Sequence, residues 1–331
     1  MATYKRQRYL LMTTDPVHIG TGGYRLGRVD LSIVREPGTR VPKIPGTSLH
    51  GAVRSYAAQL YETPEAAGQN QDQVQSPDLN PVCYTFGYIK KQGNGNQVAA
   101  YSGVVSICDA HVLLFPVHSM VGPVWVSTVE RLKDAGIQVA NVPQNWQTDQ
   151  ALLTWSRSKP LNVGWLMVGI AKGQASLTVP ANWQSDQRWQ TIASRIVLVH
   201  ENLFSHIVNS NLEVRTSVSI NPQTGAAEEG ALFTYEAIPR ATFLTTEVIL
   251  DDYRDGSNGR PFPKDKTDKG KPLPGGEWKC PLDVVRAGFR LMEWLGVGGM
   301  GTRGFGRVAV VGDPVEEHFC AAGHNGQGGE S

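Results

Sequence analysis

Two stretches with helical periodicity, one near each end of the chain, most constrain the fold. In residues 47–60, after a turn at Pro45-Gly46, apolar side chains recur at the spacing of one buried helical face. Residues 283–295 have the same periodicity, and strand-like segments lie before, between and after the two. This order predicts an α+β protein with helices on one side of a sheet, as in ferredoxin-like folds.

The start of the first helix is a candidate phosphate-binding site. A hydroxyl of Thr47 or Ser48 can cap the helix, and His50 and Arg54 lie four residues apart beside its positive end. Capped helix starts with basic neighbours bind phosphate groups. An ordinary amphipathic helix with solvated charges is the alternative interpretation.

The remaining segments suggest one domain with insertions. A polar run of ten residues separates two strand-like runs, which predicts a long β-hairpin over 214–238. The predicted single strands are 9–14, 28–35, 122–128, 195–199 and 306–311, with a strand or strand pair over 104–115. The predicted organisation is a domain over 1–311 with irregular insertions at 62–100 and 251–279, followed by a flexible tail over 312–331.

Charge and cysteine content exclude several classes of protein. The net charge of +1 does not indicate a globally basic nucleic-acid binder, but residues 1–60 carry nine basic side chains against three acidic ones. This excess suits a protein that binds phosphates on one surface. The four cysteines form no CxxC pair, which argues against a zinc module and a disulfide framework and suits a reducing cytoplasm. No apolar run has the length of a signal peptide or a membrane span.

A glycine-rich segment over 296–307 contains six glycines in twelve residues. Residues 299–304 match G-x-G-x-x-G, but the predicted helix precedes the motif and the predicted strand follows it, the reverse of a dinucleotide-binding fold. The chain also lacks a P-loop motif. A loop of glycines beside Arg303 and Arg307 favours binding of a phosphate backbone, with a mobile linker as the alternative.

Taken together, these motifs resemble those of the RAMP superfamily of CRISPR-associated RNA-binding proteins. Within it, the chain is similar to the repeated backbone subunit of type III-B (Cmr) effector complexes, from Tyr9 to Val311. Besides the glycine-rich segment, the motifs that carry the resemblance are Ile44-Pro-Gly-Thr-Ser-Leu-His-Gly-Ala-Val-Arg54, Pro16-Val-His-Ile-Gly-Thr-Gly22, Val29-Asp-Leu-Ser-Ile-Val-Arg-Glu36, Asp109-Ala-His-Val-Leu-Leu-Phe-Pro-Val117 and Gly230-Ala-Leu-Phe-Thr-Tyr-Glu236.

The resemblance implies a modified ferredoxin-like (RRM-like) palm with the 214–238 hairpin as a protruding thumb. It also implies a prokaryotic, cytoplasmic ribonucleoprotein of antiviral defence. In it, copies of the chain and other Cmr subunits assemble along a guide crRNA, and each copy cuts the paired single-stranded target RNA once. Sequence would be read by pairing with the guide. The residues expected to contact RNA are Ser48, His50, Arg54, Arg215, Gly298, Gly299, Gly301, Arg303 and Arg307. Relatives commonly have Lys at position 50, which weakens the expectation for His50.

The family's catalytic acid falls on Asp30, which makes this residue the candidate for RNA cleavage. RNA supplies its own nucleophile, the 2′-hydroxyl, so the enzyme has to align it and manage charge. We expect Asp30 to bind a divalent ion, Mg²⁺ or Mn²⁺, rather than to act as a base, since no partner acid is visible to raise its pKa. The alternative is a structural acid paired with Arg28 or Arg35. His18 is a candidate RNA contact or general acid, and equally a structural imidazole.

Two competing functions remain open from the sequence. One is a scaffold of the same architecture that binds RNA and cuts nothing. The other is a small-molecule enzyme that uses the glycine-rich loop to hold a nucleotide.

Overall fold

The computed structural model describes residues 3–22, 29–68, 73–92, 97–228, 230–254, 261–263 and 277–318. Most of the predicted 251–279 insertion therefore lies outside the described residues.

A large mixed sheet forms the centre of the protein, in the order β10-β11-β9-β13-β7-β6-β16-β1-β17. Its longest pairing is antiparallel, between β1 and β16. Pairs β12–β8, β14–β15 and β3–β4 stand outside this sheet. The strands are β1 (Thr3–Thr13), β2 (Lys43–Ile44), β3 (Gly87–Gln92), β4 (Gln97–Ser102), β5 (Val105–Ile107), β6 (Ala110–Val117), β7 (Val124–Ser127), β8 (Gln138–Ala140), β9 (Gln150–Leu153), β10 (Leu161–Val163), β11 (Leu166–Ile170), β12 (Ser176–Thr178), β13 (Ile196–Leu198), β14 (Glu213–Ser217), β15 (Phe233–Ala237), β16 (Phe243–Asp252), β17 (Val308–Val310) and β18 (Val315–His318).

Helices pack on both faces of the sheet. Successive β1 side chains point to opposite faces, so the helices that each side chain contacts show which face they cover. Tyr9 and Leu11 belong to the core cluster that contains the buried faces of α1 and α7, whereas Leu10 belongs to a second cluster with α3, α4 and α5. The predicted one-sided arrangement of helices is therefore wrong. The helices are α1 (Gly46–Leu60), α2 (Pro81–Phe86), α3 (Val129–Asp134), α4 (Ala181–Gln184), α5 (Gln187–Ile192), α6 (Glu201–Ser210) and α7 (Pro281–Leu295).

The two predicted long helices are confirmed as α1 and α7, and the mixed helix-and-strand class is confirmed with them. The strands predicted at 9–14, 104–115, 122–128, 195–199 and 306–311 also form, as β1, β5 with β6, β7, β13 and β17. The ferredoxin-like arrangement of the palm stays a prediction. No helix among the described residues is long and apolar enough to cross a membrane.

The predicted cap of α1 is wrong. Pro45 is the N-cap residue, Thr47 and Ser48 lie inside the helix, and neither hydroxyl caps it. The cap comes instead from Asp109, whose Oδ1 accepts a hydrogen bond from the Gly46 N–H at 2.6 Å. A carboxylate of the protein thus occupies the anion-binding position that the sequence suggested for a phosphate.

Two predicted irregular regions contain regular structure. The 62–100 insertion holds α2, whose residues are all buried, and the β3–β4 hairpin. In the predicted tail, β18 pairs with β1, and Glu316 accepts from Lys5 at 3.0 Å. Glu316 and Glu317 of β18 pair with Lys5 and Arg6 of β1, and such opposite charges on adjacent strands stabilise the pairing.

The predicted strand over 28–35 does not form as a regular strand. Residues 23–28 lie outside the described residues, and 29–36 is held by isolated bridges, among them Leu31 with Tyr235 and Arg35 with Pro42. This segment makes its hydrogen bonds to the thumb hairpin and to the residues before β2, so that it links the thumb to the main sheet.

We predict that the contact between α1 and α7 tolerates no added methyl group at Gly288. A Cβ there would lie 2.4 Å from the backbone oxygen of Val53. Gly288→Ala should lower the free energy of unfolding by about 1–3 kcal/mol despite the better helix propensity of alanine. Denaturant unfolding measures this change.

Gly51 on α1 is the matched control because a Cβ there would meet nothing within 4 Å. Gly51→Ala should stabilise the protein by roughly 0.5–1 kcal/mol. Equal stabilisation by both substitutions would contradict the packing of α1 against α7.

Candidate RNA interface at the base of the thumb

The thumb hairpin consists of β14 and β15, paired from Glu213–Ala237 to Ser217–Phe233. The 214–238 hairpin prediction is thus confirmed. The segment containing Asp30 adds itself alongside β15: the Leu31 N–H donates to Thr234 O at 3.0 Å, and the Glu236 N–H donates to Leu31 O at 3.2 Å. Backbone pairing thus fixes the candidate acid beside the base of the thumb.

Asp30 is half-buried and bound by Thr234 through three hydrogen bonds. The Thr234 N–H and hydroxyl both donate to Asp30 Oδ2, at 2.7 and 2.9 Å, and the Asp30 N–H donates to Thr234 Oγ1 at 3.1 Å. The Thr234 N–H first, and its hydroxyl second, hold the pKa of the Asp30 carboxyl below its ordinary value. Asp30 is therefore a stably ionised acid and a poor general base at neutral pH.

Arg35 is not the partner of Asp30, so the alternative interpretation of Asp30 as an acid paired with Arg35 is wrong. The Arg35 guanidinium donates to both carboxylate oxygens of Glu236, at 2.6 and 2.7 Å. Glu236 also accepts from the Ile33 N–H at 2.9 Å. This largely buried, two-pronged ion pair ties the Asp30 segment to β15 and leaves the charge of Asp30 unneutralised by Arg35.

An aromatic cluster lies where the thumb, the Asp30 segment and the glycine-rich loop meet. Tyr235 and Phe305 are buried in it, and Leu31, Phe233 and Met300 pack against them.

Two predicted RNA-binding arginines border this cluster. The guanidinium of Arg215 lies 4.7 Å from the centre of the Phe305 ring, and that of Arg303 lies 5.8 Å from the centre of the Phe233 ring. The structure therefore brings Asp30, Arg215 and Arg303, which are far apart in sequence, to one place on the surface.

The glycine-rich loop packs against the loop that contains His18. The Gly299 N–H donates to His18 O at 2.9 Å, and the Gly306 N–H donates to Pro16 O at 2.8 Å. A Cβ at Gly298 would lie 2.4 Å from Ile19 Cδ1, so this glycine is required by close packing as well as by its φ of +89°. The N–H of Gly299 is used within the protein and is not free for a phosphate.

His18 is a structural imidazole. It is buried, and its Nδ1 donates to the backbone oxygen of Glu236 at 2.7 Å. Because the ring is enclosed beneath the thumb, His18 is not placed to act as a general acid on a surface-bound RNA.

The remaining loop candidates differ in their surroundings. Arg307 forms an ion pair with Asp15, which raises the pKa of Arg307 and offsets its positive charge. Gly301 is exposed, and a Cβ there would meet nothing within 4 Å. The RNA contacts expected at these two positions stay predictions.

The candidates on α1 are largely engaged in packing. Arg54 donates through Nε to Ala66 O at 2.9 Å and through Nη2 to Gly87 O at 2.8 Å, and burial lowers its pKa. His50 lies edge-on to the Phe86 ring, 5.1 Å between centres, and burial lowers its pKa as well. The geometry assigns Arg54 to the anchoring of the chain on either side of α2. Ser48 is half-buried, and its RNA contact stays a prediction.

Helix α1 and the glycine-rich loop are nevertheless adjacent near Tyr56. The Tyr56 hydroxyl of α1 donates to the Gly296 backbone oxygen, at the point where α7 ends and the loop begins. The order of helix, loop and strand is confirmed as α7, 296–306 and β17, which agrees with the exclusion of a dinucleotide fold.

Among the described residues, one group could hold a metal ion, and it does not include Asp30. It consists of Glu36, Asp109 and His111, whose ligand atoms lie within 4.8 Å of one another. They line a cavity of about 560 Å³. The Lys43 ammonium lies 3.0 Å from Glu36 and 2.5 Å from Asp109, and bonds to both carboxylates raise its pKa. Since Lys43 already neutralises these acids, the group is an ion-pair network in this structure.

Three functional residues were missed in the sequence. Thr234 is an ordinary strand residue by pattern, and its bonds to Asp30 span 204 positions of the chain. Glu236, the partner of Arg35, and Asp109, which caps α1, both lie inside motifs that carry the family resemblance. Their place in these motifs was the signal that could have identified them.

These features define an α+β protein whose thumb hairpin, glycine-rich loop and Asp30 segment meet at one surface that also carries Arg215 and Arg303. Comparison with known families gives the same class. The model of the RAMP superfamily matches residues 10–309, and the chain belongs to that superfamily.

The chain is also similar to individual proteins, to one in sequence and to others in fold. The chain is 28% identical over 255 residues to the CRISPR system Cmr endoribonuclease Cmr4 of Pyrococcus furiosus, covering 72% of this chain and 80% of the relative. Its fold is similar to a chain of the type III-B Cmr-beta complex bound to cognate target RNA, with a TM-score of 0.59, 13% identity and coverage of 92% and 96%. Oligomeric Cmr4 from Pyrococcus furiosus gives a TM-score of 0.52 at 19% identity, with coverage of 96% and 100%.

We predict that Arg54 contributes to stability rather than to RNA affinity. Arg54→Lys keeps the charge but loses the fork that reaches two carbonyl groups, so the free energy of unfolding should fall by about 1–3 kcal/mol. RNA affinity of the folded variant should not change. Arg290→Lys on the exposed face of α7 is the control and should leave stability unaltered. A weakened RNA complex at unchanged stability would instead make Arg54 a phosphate contact.

Proposed function

We propose that the chain is a guide-RNA-binding subunit of a type III-B Cmr complex that cleaves the paired target RNA at the base of its thumb. Further copies of the chain and other Cmr subunits would assemble along the guide crRNA in the prokaryotic cytoplasm. The observation that carries the proposal is the half-buried Asp30, fixed to β15 next to the aromatic cluster that Arg215 and Arg303 border.

The relatives support the parts of this proposal that geometry alone does not address. Cleavage of RNA is the activity in the name of the Pyrococcus relative. One structural neighbour was determined with cognate target RNA and another as an oligomer.

The chemistry of cleavage needs little from the protein beyond alignment and charge. The 2′-hydroxyl of the target RNA gives its proton to water and attacks the neighbouring phosphorus once the two are in line. As the P–O2′ bond forms, the P–O5′ bond breaks, which leaves a 2′,3′-cyclic phosphate and a 5′-hydroxyl that takes up a proton from water. A thumb that displaces a nucleotide from the stack favours the in-line geometry. Arg215 and Arg303 would bind phosphate oxygens on either side of the aromatic cluster and offset the charge that develops on the phosphorane. Asp30 remains ionised throughout, because Thr234 stabilises its charged form.

The single free carboxylate oxygen of Asp30 suits a cation that is coordinated jointly by the protein and the RNA, rather than one coordinated by protein ligands alone. Oδ2 accepts both bonds from Thr234, which leaves Oδ1 to face a ligand. A single carboxylate oxygen fits Mg²⁺ or Mn²⁺, which bind to one or two carboxylates and complete their shell with water and substrate phosphates. Such an ion would supply Lewis-acid stabilisation of the phosphate oxygens.

We predict that Asp30→Asn abolishes cleavage while guide binding and assembly persist. The amide keeps the size of the side chain but not its charge, so the single-turnover rate should fall roughly 100- to 10,000-fold. Cleavage by the native complex should also stop on chelation of divalent ions and return with Mg²⁺ or Mn²⁺. Undiminished cleavage by Asp30→Asn would remove Asp30 from the mechanism, and a complex that binds target but never cuts would establish the scaffold function instead.

We predict that Arg303 contacts a phosphate of the RNA. Arg303→Ala should weaken binding equally for unrelated sequences, and the slope of log K against log salt should become shallower by ~0.7 for each single-strand phosphate that the variant no longer neutralises. Titrations of labelled RNA at several salt concentrations measure the slope. The control is Lys133→Ala on α3, which packs on the face of the sheet opposite α7. An equal change of slope in both variants would contradict a specific contact at Arg303.

A further inference from the structure

We propose that Thr234 is the positioning residue of the RNA-cleavage site, which makes the thumb strand β15 part of the catalytic apparatus. The inference rests on the proposed catalytic role of Asp30 and adds to it the group that orients this acid. In this proposal Thr234 acts through Asp30 and does not contact the RNA.

The hydrogen bonds between the two residues determine which carboxylate oxygen is free. The Thr234 N–H and hydroxyl converge on the same atom, Asp30 Oδ2, at 2.7 and 2.9 Å. Because the hydroxyl has a single proton and gives it to Oδ2, the Asp30 N–H at 3.1 Å finds Oγ1 as an acceptor. This reciprocal arrangement restricts the side-chain torsions of both residues and leaves Oδ1 without a bond from Thr234.

Because Thr234 belongs to the thumb, these bonds couple the position of Asp30 to that of the hairpin. Thr234 lies on the thumb, and its own carbonyl accepts from the Leu31 N–H, so backbone and side chain hold the same contact. Further along, Glu236 of the same strand binds Ile33 and Arg35. Any shift of the thumb that displaces a nucleotide therefore moves the acid with it. The thumb, which is proposed to displace a nucleotide, is thus joined to Asp30, which is proposed to bind the cation.

A purely structural role for Thr234 is the competing explanation, and the hairpin offers a matched control for it. Thr216 is the residue paired with Thr234 across β14 and β15, and it is exposed. Thr216→Val makes the same change of a hydroxyl to a methyl group in the same hairpin without removing a bond to Asp30.

The experiment compares single-turnover cleavage of target RNA by complexes assembled with Thr234→Val, Thr234→Ser, Thr216→Val and Asp30→Asn. Valine keeps the shape of threonine and the N–H bond but loses the hydroxyl. We expect Thr234→Val to bind RNA normally and cleave about 10- to 100-fold more slowly. Thr234→Ser and Thr216→Val should retain the native rate.

Rescue by serine and the double variant separate positioning of Asp30 from simple stabilisation of the fold. Combining Thr234→Val with Asp30→Asn should add no further loss, because both changes act through one carboxylate.

The possible results are distinguishable. A native rate in Thr234→Val, with Asp30→Asn inactive, would overturn the positioning role and leave the proposed function intact. A loss in Thr234→Val that Thr216→Val or Thr234→Ser reproduces would assign it to the hairpin fold and overturn the inference as well. Full activity of Asp30→Asn would overturn the proposed function and this inference together.

Discussion

The attachment of residues 29–36 to strand β15 is the interaction on which the rest of the surface depends. Backbone bonds at Leu31 set the register, and the Arg35–Glu236 ion pair strengthens it from a largely buried position. An unpaired charge at either residue would be costly, because removing one partner leaves the other buried without compensation. The bonds of Thr234 to Asp30, together with the bonds of residues 31–36 to neighbouring segments, fix the position of the acid.

The second constraint is the packing of two glycine-containing loops against each other. A Cβ at Gly298 would collide with Ile19 and with the His18 backbone, and one at Gly306 would collide with the Val297 backbone. The N–H groups of Gly299 and Gly306 bond to His18 and Pro16. The glycine content that suggested a phosphate-binding loop is therefore explained in good part by packing. Arg215 and Arg303 at this surface are held over aromatic rings that limit their freedom, and Arg215 also forms an ion pair with Glu213.

Local patterns predicted the elements well, because the buried faces of α1 and α7 and the thumb hairpin depend on near neighbours in sequence. Contacts between distant residues were not predictable in the same way. The Asp109 carboxylate that caps α1, the β18 strand that pairs with β1, and the Thr234 bonds to Asp30 each join residues more than sixty positions apart. Arg54 illustrates the same limit, since its charge and helical position suggested RNA, whereas its burial and carbonyl partners assign it to the fold.

The central claim is that target RNA is cut next to Asp30 at the base of the thumb. A structure of the assembled complex with guide and target RNA, made with Asp30→Asn to prevent cutting, tests it most directly. The account predicts the scissile phosphate next to the residue 30 side chain, with Arg215 and Arg303 on its flanks. A scissile phosphate located instead beside the Glu36, Asp109 and His111 group, with the thumb base unoccupied, would contradict it.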